Sequence, residues 1–273
     1  MKNKILVGLF KDGINNHSIL QYAIKLSEVN NLELDVIYVE PLNFITQTPT
    51  TLLPEAKHPM ETMKEKVMDK KIIEVNEELN NLPSISPEDL SISISPYSFS
   101  NYINSTYTQG EIEMCLIQKV NKNSYFNTLF GTRETNLSKN IEFPVLNIPV
   151  ENKGYPFQNM LFLVDNFDEC KFDAFNTLLA KFDFNYTFLI NNDGVHIEIK
   201  DFFETTKLSW KNFNGSLKFI ESTYSIDQLQ SLITQESYDC IAINNFDKTF
   251  FERPFELNTN ELILELEVPI LVI

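Results

Sequence analysis

One short stretch of the sequence has residues that could bind a phosphate group. Gly131 and Thr132 lie at the start of a predicted helix. A glycine lets backbone N–H groups approach an anion, and the first turn of a helix carries a partial positive charge. Lys119, Lys122 and Arg133 are close in sequence and could add positive charge. The alternative is structural, with a loop glycine followed by a threonine that caps the helix.

No catalytic or metal-binding motif accompanies this stretch. The sequence has no Gly-x-Ser-x-Gly elbow, Walker loop, dinucleotide-binding fingerprint or His-Glu-x-x-His motif. Neither the three histidines nor the three cysteines have partners at the spacing of metal ligands. We therefore expect no catalytic residue and no metal site.

The charge of the chain limits its partners. Of the 273 residues 38 are acidic and 22 basic, which gives a formal net charge of -16. Such a surface repels nucleic acid and anionic lipid. The apolar run at the N-terminus reaches charge again at Lys11, too soon for a signal peptide, and the cysteines have no disulfide pattern. These features predict a cytoplasmic protein that binds neither nucleic acid nor membrane.

Three segments of the first half recur in the same order in the second half. The pairs are 4–10 with 159–165, 112–118 with 238–244, and 143–148 with 268–273. The last two pairs are offset by 126 and 125 residues, so little has been inserted between them. We interpret the chain as a tandem duplication with domains at 1–150 and 155–273, joined by a polar linker that contains Gly and Pro.

Each half is predicted to alternate strands and helices. In the first half we predict strands at 4–10, 34–39, 90–94, 112–118 and 144–146, helices over 61–82, 99–107 and 132–139, and a further helix behind a Ser18–Gln21 capping box. In the second half we predict a strand at 186–190, helices over 195–210 and behind Ser225, and a last helix that Asn258 opens. This alternation is typical of a parallel sheet covered by helices on both faces.

In this order the segments resemble the universal stress protein family in its tandem form. The resemblance rests on the first strand Lys4–Val7, the helix that Ser18 leads, the end of the fourth strand, and the final strands at 144–146 and 269–271. It covers nearly the whole chain. It implies an α/β fold of two tandem open parallel five-stranded sheets with helices on both faces, adenine nucleotide alpha hydrolase-like and Rossmann-like, packed as an intrachain pseudo-dimer. Two such chains could also form a homodimer.

One branch of this family binds ATP, and its site can be compared position by position. Its first strand ends in an acidic residue, where the first half has Phe10 and the second half has Asp165. Its motif, Gly-x2-Gly-x9-Gly followed by Ser or Thr, falls here on Gln118, Asn121, Gly131 and Thr132. At the same positions the second half has Asn244, Asp247, Leu257 and Asn258. Each half thus lacks a different part of the motif.

The resemblance implies that what is left of the nucleotide site is a crevice where the first and fourth strands diverge. This is the usual ligand site of an open parallel sheet. The residues implied in the first half are Phe10, Lys11, Asp12, Val39, Gln118, Asn121, Gly131 and Thr132, with Asp165 in the second half. We expect a stress-response or regulatory binding protein without a cofactor. ATP binding should be absent, or weak and confined to the first half. The partner would be a protein or a small ligand.

Two alternatives remain open at this point. The chain could be an ATP or AMP sensor or a slow ATPase that uses Asp165 and the helix start at Gly131 across the pseudo-dimer interface. It could instead be a protein-interaction module whose docking surface is the proline-rich segment 41–60 and the charged helix after it.

Overall fold

Ten strands among the described residues form one sheet in the structure of this chain, a computed structural model. The structure describes residues 4–10, 16–39, 69–70, 73, 77, 90–95, 99–108, 110–119, 141, 143–150, 158–164, 185–191, 216–220, 225–243 and 265–273. The strands are β1 Lys4–Phe10, β2 Glu33–Val39, β3 Leu90–Ser95, β4 Ile112–Lys119, β5 Val145–Pro149, β6 Asn159–Val164, β7 Asn185–Asn191, β8 Ser216–Ile220, β9 Cys240–Ile243 and β10 Ile270–Val272. The helices with described bounds are α1 Asn16–Asn30, α2 Phe99–Thr106 and α3 Ile226–Glu236.

The strand order across the sheet is β3-β2-β1-β4-β5-β10-β9-β6-β7-β8. Neighbouring strands are parallel everywhere except at the centre, where β5 and β10 are antiparallel. The prediction of two separate sheets is therefore wrong, and that of an α/β fold built mainly on parallel strands is confirmed. The physical reason is that each five-strand set ends in an edge strand with unpaired backbone groups, and these two edges pair with each other.

The two halves of the sheet have the same strand order and the same register between strands. Equivalent residue pairs are Ile5–Met114 with Met160–Cys240, and Cys115–Val145 with Ile241–Ile270. These are the residues that the sequence repeat aligns. The backbone bond from the Cys115 N–H to the Pro144 carbonyl likewise has its counterpart between Ile241 and Pro269.

The central strands are buried because helices cover the sheet. All eight residues of β4 and all five of β5 are buried, as in parallel sheets covered on both faces. Helix α1 packs against β1, β2 and β4. Its apolar stripe, Ile19, Tyr22, Ala23 and Leu26, is fully buried, as its spacing predicts.

The structure tests three details of the sequence analysis. Helix α1 begins at Asn16, so Ser18 lies in its first turn and is not the predicted cap. The capping box of Ser225 and Gln228 is confirmed, with both of its hydrogen bonds present. Strand β8 was not located from the sequence. The helices predicted over 132–139 and 195–210 lie outside the described residues.

The helix predicted over 61–82 is described at four positions only. Residues 69, 70, 73 and 77 are helical and exposed. In the described part of the chain no helix is long and apolar enough to cross a membrane.

Two helices end on a residue with left-handed backbone, and neither residue is glycine. Asn31 follows α1 with φ 52°, and Ser237 follows α3 with φ 57°. Bonds from the Leu32 N–H to the Ser27 carbonyl and from the Tyr238 N–H to the Ile233 carbonyl close these ends. The chain has only 7 glycines, so it uses other residues where glycine is usual. Asparagine tolerates this backbone conformation better than serine does.

Replacing Ser237 with Gly should stabilise the protein. Removing the strained Cβ gains about 1 kcal/mol, which outweighs the extra freedom of glycine in the unfolded chain by about 0.5 kcal/mol. Asn31→Gly is the matched control and should change the free energy of unfolding by less. Urea unfolding of both variants measures the difference. A Ser237→Gly variant that is less stable than the parent would contradict this assignment.

Candidate functional site

The crevice expected between the first and fourth strands would lie at the carboxyl edge of the first half-sheet. Strand β1 lies between β2 and β4 and is parallel to both, so Phe10, Val39 and Lys119 end the three strands at the same edge. From β1 the chain continues to β2 on one side, and it returns on the other side as β4. This divergence is the topological switch point at which open parallel sheets bind ligands.

Three of the nine predicted site residues are described, and all three lie at this edge. Phe10 and Val39 are register partners at the ends of β1 and β2, and Gln118 pairs with Ile148 near the end of β4. Their exposed fractions are 5%, 5% and 6%. The other six, Lys11, Asp12, Asn121, Gly131, Thr132 and Asp165, lie outside the described residues.

Phe10 is packed into apolar core. Its ring lies edge-on to the ring of Phe99 in α2, with centroids 5.7 Å apart and planes at 67°. Ile37, Val39 and Cys115 belong to the same buried cluster. Edge-on aromatic pairs of this geometry are favourable beyond the area that they bury. A phenyl group cannot accept a hydrogen bond as a carboxylate does, so this position offers a ligand no acidic group.

Gly8 makes room for that aromatic pair. A Cβ atom built on Gly8 would lie 2.7 Å from Cζ of Phe99, closer than side chains pack. The ring of Phe99 therefore lies directly over the backbone of β1. Sequence analysis missed Phe99 as part of this edge. The signal was a glycine inside a buried strand, which often marks a close approach.

Replacing Gly8 with Ala should destabilise the protein by about 1–2 kcal/mol, because the buried Phe99 ring must shift. The smaller backbone freedom of alanine in the unfolded chain offsets only part of this cost. The double variant Gly8→Ala/Phe99→Leu should lose less stability than the sum of its single variants. Urea unfolding of the four proteins measures this coupling. Additive losses would mean that the two residues do not compete for the same space.

Lys119 does not extend into the crevice as a spare cation. Its side chain is buried, and its ammonium group donates a hydrogen bond to the carbonyl of Leu266, just before β10. Nδ2 of Asn147, also fully buried, donates to the carbonyl of Ile270 at 3.3 Å. Both contacts join the first half of the sheet to the second. To bind a phosphate in the crevice, Lys119 would have to break its hydrogen bond to the Leu266 carbonyl.

Among the described residues, a cluster of charged and polar side chains lies at the opposite, amino edge of the first half. Nζ of Lys4 lies 3.0 Å from Oδ2 of the buried Asp35, and the hydroxyl of Tyr107 donates to the same oxygen at 3.1 Å. The bond to Asp35 raises the pKa of Lys4. Burial, and then the charge of Asp35, raise the pKa of Tyr107. The cluster ties the segment after α2 to β1 and β2, away from the crevice.

Replacing Tyr107 with Phe should lower the free energy of unfolding by about 1 kcal/mol at neutral pH, since the carboxylate loses a donor. The pKa of Tyr107 is raised in the folded state, so its contribution is complete below about pH 10 and declines above it, where only the unfolded phenol ionises. The difference between wild type and Tyr107→Phe should therefore stay constant from pH 8 to about pH 10 and shrink between about pH 10 and pH 11.

Urea unfolding across that pH range measures this difference. Tyr102→Phe, which removes a hydroxyl from α2 itself, is the matched control. A difference between wild type and Tyr107→Phe that stays constant up to pH 11 would contradict the assignment.

No reactive thiol or metal cluster is found among the described residues. Cys115 and Cys240 are fully buried, and burial raises the pKa of both thiols, which keeps them protonated and poorly nucleophilic. In the described ranges no group of three His, Cys, Asp or Glu side chains could hold a metal ion. Asp239 accepts backbone hydrogen bonds from Gln158 and Asn159 at the amino edge of the second half, where it fixes the start of β6.

The fold is that of solved universal stress proteins. A universal stress protein from Archaeoglobus fulgidus superposes with a TM-score of 0.64 and 13% identity, over 100% of this chain and 98% of that one. A candidate universal stress protein from Pseudomonas aeruginosa gives 0.56 and 14%, over 100% and 93%. A functionally unknown protein of the same organism gives 0.56 and 14%, over 100% and 92%. No protein-family model and no curated protein sequence matches the chain.

Proposed function

We propose that the chain is a tandem universal stress protein that acts by binding, and that its first-half crevice has lost the ATP site of the family. The observation that carries the proposal is Phe10. Where the ATP-binding branch has an acidic residue, this chain has a ring buried against Phe99.

The tandem arrangement is supported by the sequence repeat, because residues that the repeat aligns also lie opposite each other where β5 pairs with β10. Leu146 lies opposite Leu271, the residue that takes its place in the repeat, and Val145 and Asn147 lie opposite Val272 and Ile270. A pairing centred on equivalent residues is expected when two copies of one unit meet about a two-fold axis. On this proposal the domains are residues 1–150 and 155–273, packed as an intrachain pseudo-dimer.

The loss of ATP binding is supported by the physical character of the crevice. The described residues at its floor are buried, and two of them, Phe10 and Val39, are apolar. The net charge of -16 adds a general repulsion of polyphosphate. The partner on this proposal is a protein or a small ligand, and the setting is the cytoplasm, where the protein takes part in a stress response or its regulation.

Calorimetric titration of the purified protein with Mg-ATP tests the proposal. We expect no binding in the micromolar range, because the crevice lacks the acidic contact and most of the glycine motif. Any residual weak binding should come from the first half and should disappear in Gly131→Ala.

A micromolar dissociation constant would contradict the proposal and favour the nucleotide sensor or slow ATPase. In that case both Asp165→Asn and Gly131→Ala should weaken binding, because that alternative uses both residues in one site. A native mass spectrum of the protein as purified is the independent check, because a co-purified nucleotide would add its mass.

A further inference from the structure

The junction between β5 and β10 is nearly symmetric in its apolar residues. Three residue pairs form it, with Leu146 opposite Leu271 at the centre. Both strands are buried and apolar apart from Asn147. Such a ladder does not by itself distinguish partners. Leu146 could face Leu146 of a second chain, and Leu271 could face another Leu271, with similar apolar contact.

Two buried donors break this symmetry. The Lys119 ammonium donates to the carbonyl of Leu266, and the Asn147 amide donates to the carbonyl of Ile270. Both donors belong to the first half, and both acceptors belong to the second. In the sequence repeat the position of Lys119 is taken by Asn245 and that of Asn147 by Val272.

We propose that Lys119 and Asn147 select the pairing of a first half with a second half over the pairing of identical halves from different chains. Two first halves would bury both Lys119 ammonium groups at one junction, where neither has the Leu266 carbonyl as its acceptor. Two second halves would bring neither donor to the Leu266 and Ile270 carbonyls, which are buried.

The consequence concerns assembly. The chain has two pairing edges, β5 and β10, and identical halves that paired between chains would leave the other edges open to further chains. A buried polar residue that fixes the partner, at some cost in stability, is an established device of coiled coils. The inference uses the proposed duplication to align the halves, and it does not depend on whether ATP binds.

A cysteine placed at the junction of the full-length chain reports which halves pair there. When a first half pairs with a second half (the mixed pairing), the introduced cysteine of Leu146→Cys lies opposite Leu271 and cannot form a disulfide. When two first halves pair, the introduced cysteines of the two chains lie opposite each other, so oxidation gives a covalent dimer. Leu271→Cys reports pairing of second halves in the same way. Directly opposed antiparallel residues have the Cα spacing that a disulfide requires.

Each reporter is refolded from denaturant at high protein concentration, oxidised, and analysed by non-reducing electrophoresis. It is placed in the wild-type background and in Lys119→Met/Asn147→Val. The protein without a reporter gives the baseline from the native cysteines. Leu146→Cys/Leu271→Cys should close within one chain and shows that oxidation captures the mixed pairing.

We expect reporter dimers near baseline in the wild-type background and a several-fold rise in Lys119→Met/Asn147→Val. Equal dimer yields in the two backgrounds, whether high or low, would overturn the proposal. If the double variant does not refold, Asn147→Val alone carries the same comparison, because it removes one donor without removing a charge.

Discussion

The antiparallel pairing of β5 with β10 is the contact on which the continuity of the sheet depends. Every other neighbouring pair of strands is parallel and lies within one half. At this junction only three residue pairs join the halves, and the Lys119 and Asn147 side chains reinforce them from β4 and β5. Because the pairing is centred on Leu146 and Leu271, it places the carboxyl edges of the two halves about a local two-fold axis.

The described residues at the carboxyl edge of the first half are mainly apolar and buried. A triphosphate site in such a sheet needs bare backbone N–H groups at the strand end and a helix start that faces the phosphates. Here the described end of β1 is closed by the Phe10–Phe99 pair, and Gly8 is used to admit Phe99. The glycine thus serves aromatic packing in this part of the molecule. On the function that we propose, this apolar burial stands in place of the acidic contact of the ATP-binding branch.

The sequence was sufficient to predict what depends on local pattern. Uninterrupted apolar runs located β1 and β4 to within a residue, and helical spacing identified the buried stripe of α1. The Ser225–Gln228 capping box was correct, whereas the Ser18 box was not, because helix α1 starts nearly a full turn earlier. Contacts between residues that are distant in sequence could not be predicted. The overlap of Phe99 with Gly8, the reach of Lys119 to Leu266 and the burial of Asp35 beneath Tyr107 depend on which strands become neighbours. The joining of the halves into one sheet was missed for the same reason.

The most direct measurement is a crystal structure of the full-length protein grown with Mg-ATP in excess. The account predicts that the Phe10 and Phe99 rings remain in edge-on contact, that the first-half crevice holds no ordered nucleotide, and that the two halves superpose about the Leu146–Leu271 pair. Ordered density for an adenosine phosphate in that crevice, with Phe10 displaced, would contradict it, and so would two halves that do not superpose.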